Sequence, residues 1–234
     1  MPLLSPDTPF NFIHVGKCGG STVLSELRAK DYRFEYFHVR RPVVNPKGRY
    51  MIVVRDPLER FVSAFNWRKH LYMDGKLTYD KQKNQLIELR HSTERELLLH
   101  FDNANALAEC LGSELRQGIN TTSSLMRLIG HVSTGFQWHL DSLLDNIRPD
   151  QIVAVICMER LSSDFERHMG FYPSLTLNRR QATDSTRLSE ESRTNLAHEF
   201  KSEFIILEKL SSFATLAGVP MSMRYDPKFG AIPN

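Results

Sequence analysis

The sequence predicts an α/β fold of three layers, in which helices cover both faces of a central parallel sheet. Short apolar runs alternate with helical segments along the chain, which is typical of this class. Residues 50–54 (YMIVV) are apolar throughout, as expected for a strand buried on both faces. The length of 234 residues fits one large core. In such sheets the crossovers are right-handed, and ligands bind beyond the carboxyl ends of the strands.

The first predicted unit is strand, turn and helix. Residues 10–15 (FNFIHV) form a short apolar run rich in β-forming residues, and they end at a glycine-rich loop, residues 16–22 (GKCGGST). Residues 23–30 then read as a helix. Residues 34–39 (FEYFHV) predict a second strand, and residues 50–54 predict a third.

The clearest helix start follows the third strand. Asp56 occupies the N-cap position, Pro57 the first helical position, and Glu59 lies three residues after the cap. Ser63 falls to one side of the apolar stripe of this helix. Its hydroxyl group is therefore a candidate for binding a ligand rather than a part of the core.

The rest of the chain is predicted to be largely helical, with one more strand. Residues 76–116 are polar and helical in pattern, and residues 119–148 continue as helix and loop. Residues 151–158 (QIVAVICM) predict a fourth strand. Residues 163–169 and 189–216 each predict a helix.

These elements predict a single domain over residues 1–234, with a helical insertion or lid over about 70–148. The formal charge of +3 is too small to indicate a nucleic-acid surface. The chain shows neither a secretory signal pattern nor about 18 consecutive apolar residues, so we expect no membrane span and a cytoplasmic location. The three cysteines form no CxxC motif, so neither a disulfide framework nor a zinc site is expected.

The glycine-rich loop has the features of an anion-binding site. A strand that enters a helix through such a loop presents backbone N–H groups at the positive end of the helix dipole. Lys17 adds a full positive charge, Gly19 and Gly20 permit close approach of a phosphate, and Ser21 and Thr22 can donate from their hydroxyl groups. Because the lysine precedes the glycines, the loop differs from a Walker A motif.

A second anion-binding motif begins at Arg55, directly after the third predicted strand. Its guanidinium group lies close to the start of the following helix and can hold a phosphate with two parallel hydrogen bonds. Ser63 lies two helical turns further on and could reach the same phosphate. The chain therefore offers two separate sites for anionic groups.

Together the two motifs resemble those of the sulfotransferase family. That family has a 5′-phosphosulfate loop of the form PKTGGTT or PKSGTT and a 3′-phosphate motif of the form RDPxxRxxS. Residues 15–22 read VGKCGGST and residues 55–63 read RDPLERFVS. Gly16 replaces the usual proline and Cys18 the usual threonine or serine, but the lysine and the backbone donors are kept.

Two further segments resemble the family more weakly. Residues 155–161 (VICMERL) are similar to a late strand that ends in a Glu-Asp-Leu turn. Residues 177–180 (LNRR) are similar to an Asn-x-Ser segment, with Arg180 in place of serine.

The resemblance implies a P-loop-like nucleotide-binding fold and the donor PAPS, with PAP as product and no metal. It implies that Lys17 also acts in catalysis, at the bridging oxygen of the phosphosulfate. The expected acceptor is a hydroxyl or amine of a small molecule or a carbohydrate. The cofactor-binding residues it implies are Gly16, Lys17, Cys18, Gly19, Gly20, Ser21, Thr22, Arg55 and Ser63.

An acceptor hydroxyl needs a general base, and histidine suits neutral pH. His38, at the end of the second predicted strand, resembles in position a histidine that several sulfotransferases carry between their two nucleotide motifs. Glu35, His14 and Glu59 are alternatives. An anionic acceptor could meet Arg40 and Arg41. Other candidate acceptor contacts are Trp67, Arg68, Trp138 and His139.

Two other functions are compatible with the glycine-rich loop. A kinase that uses ATP and Mg²⁺ would explain this loop but not the RDPLERFVS motif, and no strand ends in a clear Walker B aspartate. A non-catalytic scaffold that keeps a nucleotide pocket would explain both motifs without chemistry. Binding of PAP separates the first alternative from sulfuryl transfer, and loss of activity on replacing His38 separates the second.

Overall fold

The computed structural model describes residues 4–75, 85–174, 187–221 and 223, and within these ranges all side chains except those of residues 85–90. The prediction for residues 177–180 lies outside the described residues. In the described part of the chain, no helix combines the length and the apolar character needed to cross a membrane.

Four parallel strands form one sheet: β1 (Phe10–His14), β2 (Phe34–Phe37), β3 (Tyr50–Val54) and β4 (Ile152–Cys157). Their order across the sheet is β2-β1-β3-β4. The predicted α/β class and parallel sheet are confirmed, and each strand lies within two residues of its predicted bounds. The alternation of strands and helices is consistent with the predicted three layers.

The chain divides into two compact units. The first consists of Met1–Asp56, Thr134–Arg180 and Ser202–Tyr225, and the second of Pro57–Ser133, Gln181–Lys201 and Asp226–Asn234. The first unit therefore contains the whole sheet. The single domain with an insertion or lid over 70–148 stays a prediction.

The first unit packs four helices with the sheet: α1 (Gly20–Ala29), α6 (Phe136–Asn146), α7 (Leu161–Met169) and all but the first residue of α9 (Lys201–Leu216). Every residue of β3 is buried, as its apolar pattern predicts for a strand covered on both faces. The core of the first unit also includes the following helical side chains: Val23, Leu27, Phe136, Leu140, Phe165, Leu207 and Leu210.

The second unit is helical in its described residues. It contains α2 (Pro57–Met73), α3 (Gln85–His100), α4 (Ala104–Arg116), α5 (Thr121–Met126) and α8 (Glu190–Glu199). The helix predicted to follow Asp56 begins at Pro57, which confirms its start. Other helix starts are set by side-chain caps, since Asn103 accepts from the amide of Ala106 at 3.0 Å and Ser189 from that of Ser192 at 3.1 Å.

The prediction of one helix over residues 189–216 was wrong, because the chain forms two helices that are separated at Phe200. Phe200 has φ −93° and ψ 19°, outside the helical region. The two helices bury their apolar residues in different units: Leu196 of α8 in the second, and Leu207 of α9 in the first. No glycine or proline marks the break, so the local sequence gives no sign of it.

A buried carboxylate on α3 holds three segments of the second unit together: α2, α3 and the segment around Gly130. Glu94, only 1% exposed, accepts hydrogen bonds from Nε of Arg68 (2.6 Å), the hydroxyl of Tyr72 (2.7 Å) and the amide of Gly130 (2.6 Å). Burial alone would raise the pKa of Glu94, but the donors from Arg68, Gly130 and Tyr72 lower it below its usual value. The guanidinium group of Arg68, predicted as a possible acceptor contact, is thus engaged in an ion pair.

A buried histidine in the first unit makes stability depend on pH. His168 of α7 is 3% exposed, and this burial lowers its pKa, although nearby Asp164 opposes the shift. The unfolded chain protonates this side chain below about pH 6.5, whereas the folded chain resists protonation. We expect the free energy of unfolding to fall as the pH drops below that value, by up to about 1.4 kcal/mol per pH unit.

Urea unfolding of the wild type and His168→Leu at about pH 8 and about pH 5 tests this expectation. At the higher pH, histidine is neutral in the folded and the unfolded state, so the difference in the free energy of unfolding between wild type and variant reports packing alone. The variant should lose less stability than the wild type on acidification. An equal loss in both proteins would contradict the assignment to His168.

Candidate functional site

The two motifs predicted to bind anions follow neighbouring strands at the point where the direction of strand order changes. From β1 the chain passes to β2 on one side, while β3 lies on the other side of β1. Sheets of this type bind ligands at such a switch point, beyond the carboxyl ends of the strands. The glycine-rich loop follows β1, and Arg55 follows β3, so both begin at this position.

The backbone of the glycine-rich loop contains two residues in the left-handed region. Gly19 has φ 78° and Lys17 has φ 71°, and α1 begins at Gly20. Left-handed residues in a tight loop turn successive amide groups toward one side, as in anion-binding nests. A residue with a side chain costs roughly 1–2 kcal/mol in this region, so Lys17 stands where glycine would be less strained. Such strain is often retained at functional sites.

Arg55 connects the two motifs. Its guanidinium group donates from Nη1 to the carbonyl oxygen of Lys17 at 3.2 Å. The arginine after β3 therefore lies beside the loop after β1, as parallel strands with a common edge require. The contact also supports the loop, so Arg55 has a structural role besides any role in binding.

Two of the three glycines of the loop, Gly19 and Gly20, are packed against side chains of the same unit. A Cβ atom at Gly19 would lie 2.2 Å from Sδ of Met158, and one at Gly20 would lie 2.1 Å from Cδ2 of His14. Both distances are far below contact. The ring of His14 leaves no room for a side chain at Gly20, whereas the Met158 side chain is flexible and the left-handed backbone is the stronger reason for glycine at Gly19. The need for glycine here thus has an internal reason, in addition to the predicted close approach of a phosphate.

The other loop residues differ in what they can offer a ligand. The thiol of Cys18 is buried and lies 3.7 Å from the carbonyl oxygen of Gly16, so this residue can contribute its backbone rather than its side chain. The side chain of Ser21 is exposed, whereas that of Thr22 is buried. Ser21 is therefore the more accessible of the two predicted hydroxyl donors.

His38 lies at the same edge of the sheet, directly after β2. Its Nδ1 is 2.8 Å from the carbonyl oxygen of His14, and its ring stacks on that of His14 with the centroids 4.1 Å apart. A carbonyl oxygen can only accept, so Nδ1 carries the proton of this bond. In the neutral ring Nε2 then holds the lone pair, which is the form that a general base requires.

The alternative bases lie in less suitable surroundings. Glu35 pairs with Arg40 at 2.7 Å with both side chains exposed, and strand alternation places it on the opposite face from Tyr36. Glu59 pairs with Arg193 at 3.7 Å in the second unit. His14 is buried. Among these residues, His38 is the best placed at the sheet edge.

Glu159 is a member of this edge that the sequence analysis did not assign to the site. Its carboxylate accepts from the amide of Asp56 at 3.0 Å and so ties the end of β4 to the end of β3. Glu159 is exposed as a whole residue, but desolvation of its carboxylate next to Asp56 raises its pKa, while the Asp56 amide and the charge of Arg55 oppose this shift. In the sequence, the position of Glu159 directly after an apolar strand is the feature that could have indicated a place in the site.

Ser63 lies on α2 in the second unit, and its predicted role stays a prediction. Among the residues that the structure describes, no group of three or more histidine, cysteine, aspartate or glutamate side chains is arranged to hold a metal ion.

Comparison of the chain with known protein families, with curated proteins and with solved structures found no match.

Proposed function

We propose that this protein is a sulfotransferase, with a P-loop-like fold, that moves a sulfuryl group from PAPS to a hydroxyl or amine of a small molecule or carbohydrate in the cytoplasm. One observation carries the proposal: Arg55 donates to the carbonyl oxygen of Lys17 at the switch point of the sheet. This contact joins the two motifs whose residue order resembles that of the family. PAPS has a 5′-phosphosulfate and a 3′-phosphate and so needs two anion-binding groups.

The reaction assigns a role to each motif. Amides of the glycine-rich loop and the ammonium of Lys17 would hold the 5′-phosphosulfate, and Arg55 would hold the 3′-phosphate, with Ser63 predicted to assist. The acceptor oxygen or nitrogen forms a bond to sulfur, the bond from sulfur to the bridging oxygen breaks, and PAP leaves with that electron pair. His38 takes the proton of the acceptor at Nε2.

Lys17 acts on the charge that develops during transfer. As the bridging bond breaks, negative charge grows on the leaving oxygen, and an ammonium already in place stabilises it without reorganisation. The left-handed backbone at Lys17 fixes where its side chain leaves the loop.

Ligand-dependent thermal stability tests the proposal. A ligand that binds only the folded protein stabilises it by about 2.7 kcal/mol at a hundredfold excess over Kd. We expect PAP to raise the melting temperature, and ATP with Mg²⁺ or NAD to have little effect. Stabilisation by ATP with Mg²⁺ but not by PAP would favour the kinase alternative and contradict the proposal.

Arg55→Ala should abolish the shift caused by PAP, because the variant lacks the guanidinium group that holds the 3′-phosphate. Its melting temperature with PAP is compared with its own ligand-free value, since loss of the bond to Lys17 also affects the loop. Arg40→Ala is the matched control, because Arg40 lies in the same unit but pairs with Glu35 at the surface. A shift that survives in Arg55→Ala would refute the role of Arg55.

A further inference from the structure

A column of rings runs along β1 and β2 and ends at His38. Alternate residues of a strand share one face, and Phe12 pairs with Tyr36 in the parallel register. The ring centroids of Phe12 lie 5.7 Å from Tyr36 and 6.1 Å from His14, and those of His14 and His38 are 4.1 Å apart. The column leads from the buried sheet to the edge where the proposed chemistry occurs.

His14 contacts His38 in two ways. The carbonyl oxygen of His14 accepts from Nδ1 of His38 at 2.8 Å, and its ring stacks on the imidazole of His38 with 17° between the ring planes. The hydrogen bond fixes the tautomer of His38, and the stack limits rotation of its ring. Both contacts follow from the strand pairing, which places these two residues side by side.

Two other groups hold the ring of His14 in place. The hydroxyl of Tyr36 lies 2.7 Å from Nδ1 of His14, and the other contact is with Gly20, where an added Cβ would lie 2.1 Å from Cδ2 of His14. Gly20 belongs to the glycine-rich loop that would hold the donor and is the first residue of α1. The His14 ring therefore lies against both the base and the donor-binding element.

We propose that His14 and Tyr36 are positioning residues for His38 in sulfuryl transfer. The inference rests on the proposed function, and it adds two residues that touch neither donor nor acceptor. In it, the hydroxyl of Tyr36 donates to Nδ1 of His14, so that His14 carries its proton on Nε2 and stays neutral. A neutral His14 matters, because two imidazolium rings stacked at 4.1 Å would repel each other.

The charge that forms on His38 is then stabilised by the same groups. When Nε2 of His38 takes the proton of the acceptor, its Nδ1–H bond to the carbonyl of His14 becomes charge-assisted and stronger. Burial raises the pKa of Tyr36, although Arg28 opposes the shift, so the tyrosine keeps its proton at neutral pH and can donate it.

Steady-state kinetics of two variants test the proposal. His14→Asn keeps a possible partner for Tyr36 but removes the stacked ring, and should lower kcat by about 10- to 100-fold. Tyr36→Phe removes only the hydroxyl and should lower kcat by about tenfold. The KM for PAPS and the affinity for PAP should stay within about threefold of the wild type, since neither residue contacts the donor in this proposal.

Tyr32→Phe is the matched control. Tyr32 is a buried tyrosine of the first unit, whereas Tyr36 is half-buried, and the hydroxyl of Tyr32 donates to the carbonyl of Leu4 at 3.1 Å, away from His38. Its replacement removes a comparable hydrogen bond and should leave kcat unchanged. Equal values of kcat for Tyr36→Phe and Tyr32→Phe would show a structural role only and would overturn the proposal.

Nitrogen-15 NMR of the histidine rings tests the positioning without any need for activity. The wild type should show His38 with its proton on Nδ1. His14→Asn keeps the backbone carbonyl that accepts this proton but removes the stacked ring, so the ring of His38 rotates more freely, the bond forms only part of the time and a mixture of tautomers should appear. Tyr36→Phe should show a smaller change in the same direction. A tautomer of His38 that does not change in either variant would overturn the proposal even if PAP binds, and the expected change would support the positioning even if PAP does not bind.

Discussion

Replacing Glu94 by alanine should lower the free energy of unfolding by about 3–5 kcal/mol. The variant leaves the guanidinium group of Arg68 in a largely buried site without its carboxylate partner. It also removes the acceptor of the Gly130 amide and the shorter of two hydrogen bonds that the Tyr72 hydroxyl can donate, the other being to the carbonyl oxygen of His91 at 3.3 Å. The loss should be visible in urea unfolding as a lower midpoint with an unchanged slope.

Two further variants show whether the loss of stability in Glu94→Ala comes from the buried ion pair. The double variant Arg68→Met, Glu94→Leu removes both charges and should recover part of the loss, although the Gly130 amide still lacks its acceptor. Arg116→Ala breaks an exposed pair with Glu191 in the same unit and should cost less than about 1 kcal/mol. A loss for Glu94→Ala as small as that for Arg116→Ala would mean that the buried pair does not stabilise the unit.

The strands were predictable because their pattern is local. An apolar run such as YMIVV and a start signal such as Asp56-Pro57 are set by neighbouring residues, and both elements lie where the sequence places them. The break at Phe200 was not predictable, because it depends on which unit buries each helix. The acceptor of the Gly130 amide was equally hidden, since Glu94 lies 36 residues away in the chain.

In the candidate site, too, some features could be predicted from the sequence and others could not. Lys17 and Arg55 could be placed together because parallel strands have their carboxyl ends at one edge, and the contact between them follows this rule. Glu159 reaches Asp56 over 103 residues of sequence, so no local pattern indicates the bond. The steric need for glycine at Gly20 was also invisible, because it arises from the ring of His14.

Lys17→Ala should lower kcat for sulfuryl transfer by about 10²–10³-fold, the effect of losing one group that stabilises a developing oxyanion. The loop amides and Arg55 remain, so PAP should still raise the melting temperature of the variant. Steady-state rates with PAPS, together with thermal shifts with PAP, separate the two effects. A kcat within about threefold of the wild type would remove Lys17 from the catalytic role.

Lys17→Gly extends this experiment to the strain in the loop. Both variants lack the ammonium, so both should lose transfer to the same extent, but they differ in what the left-handed backbone costs. Alanine at φ 71° destabilises the folded state by roughly 1–2 kcal/mol through steric strain that glycine avoids. Glycine in turn lowers the free energy of unfolding by about 0.5–1 kcal/mol, because it gives the unfolded chain greater conformational freedom. The glycine variant should therefore be more stable than the alanine variant by about 0.5–1 kcal/mol. This difference in stability, together with an equal loss of activity in both variants, would mean that transfer needs the charge of Lys17 although its backbone is strained. If the alanine variant is as stable as the glycine variant, the strain at this position is absent in solution.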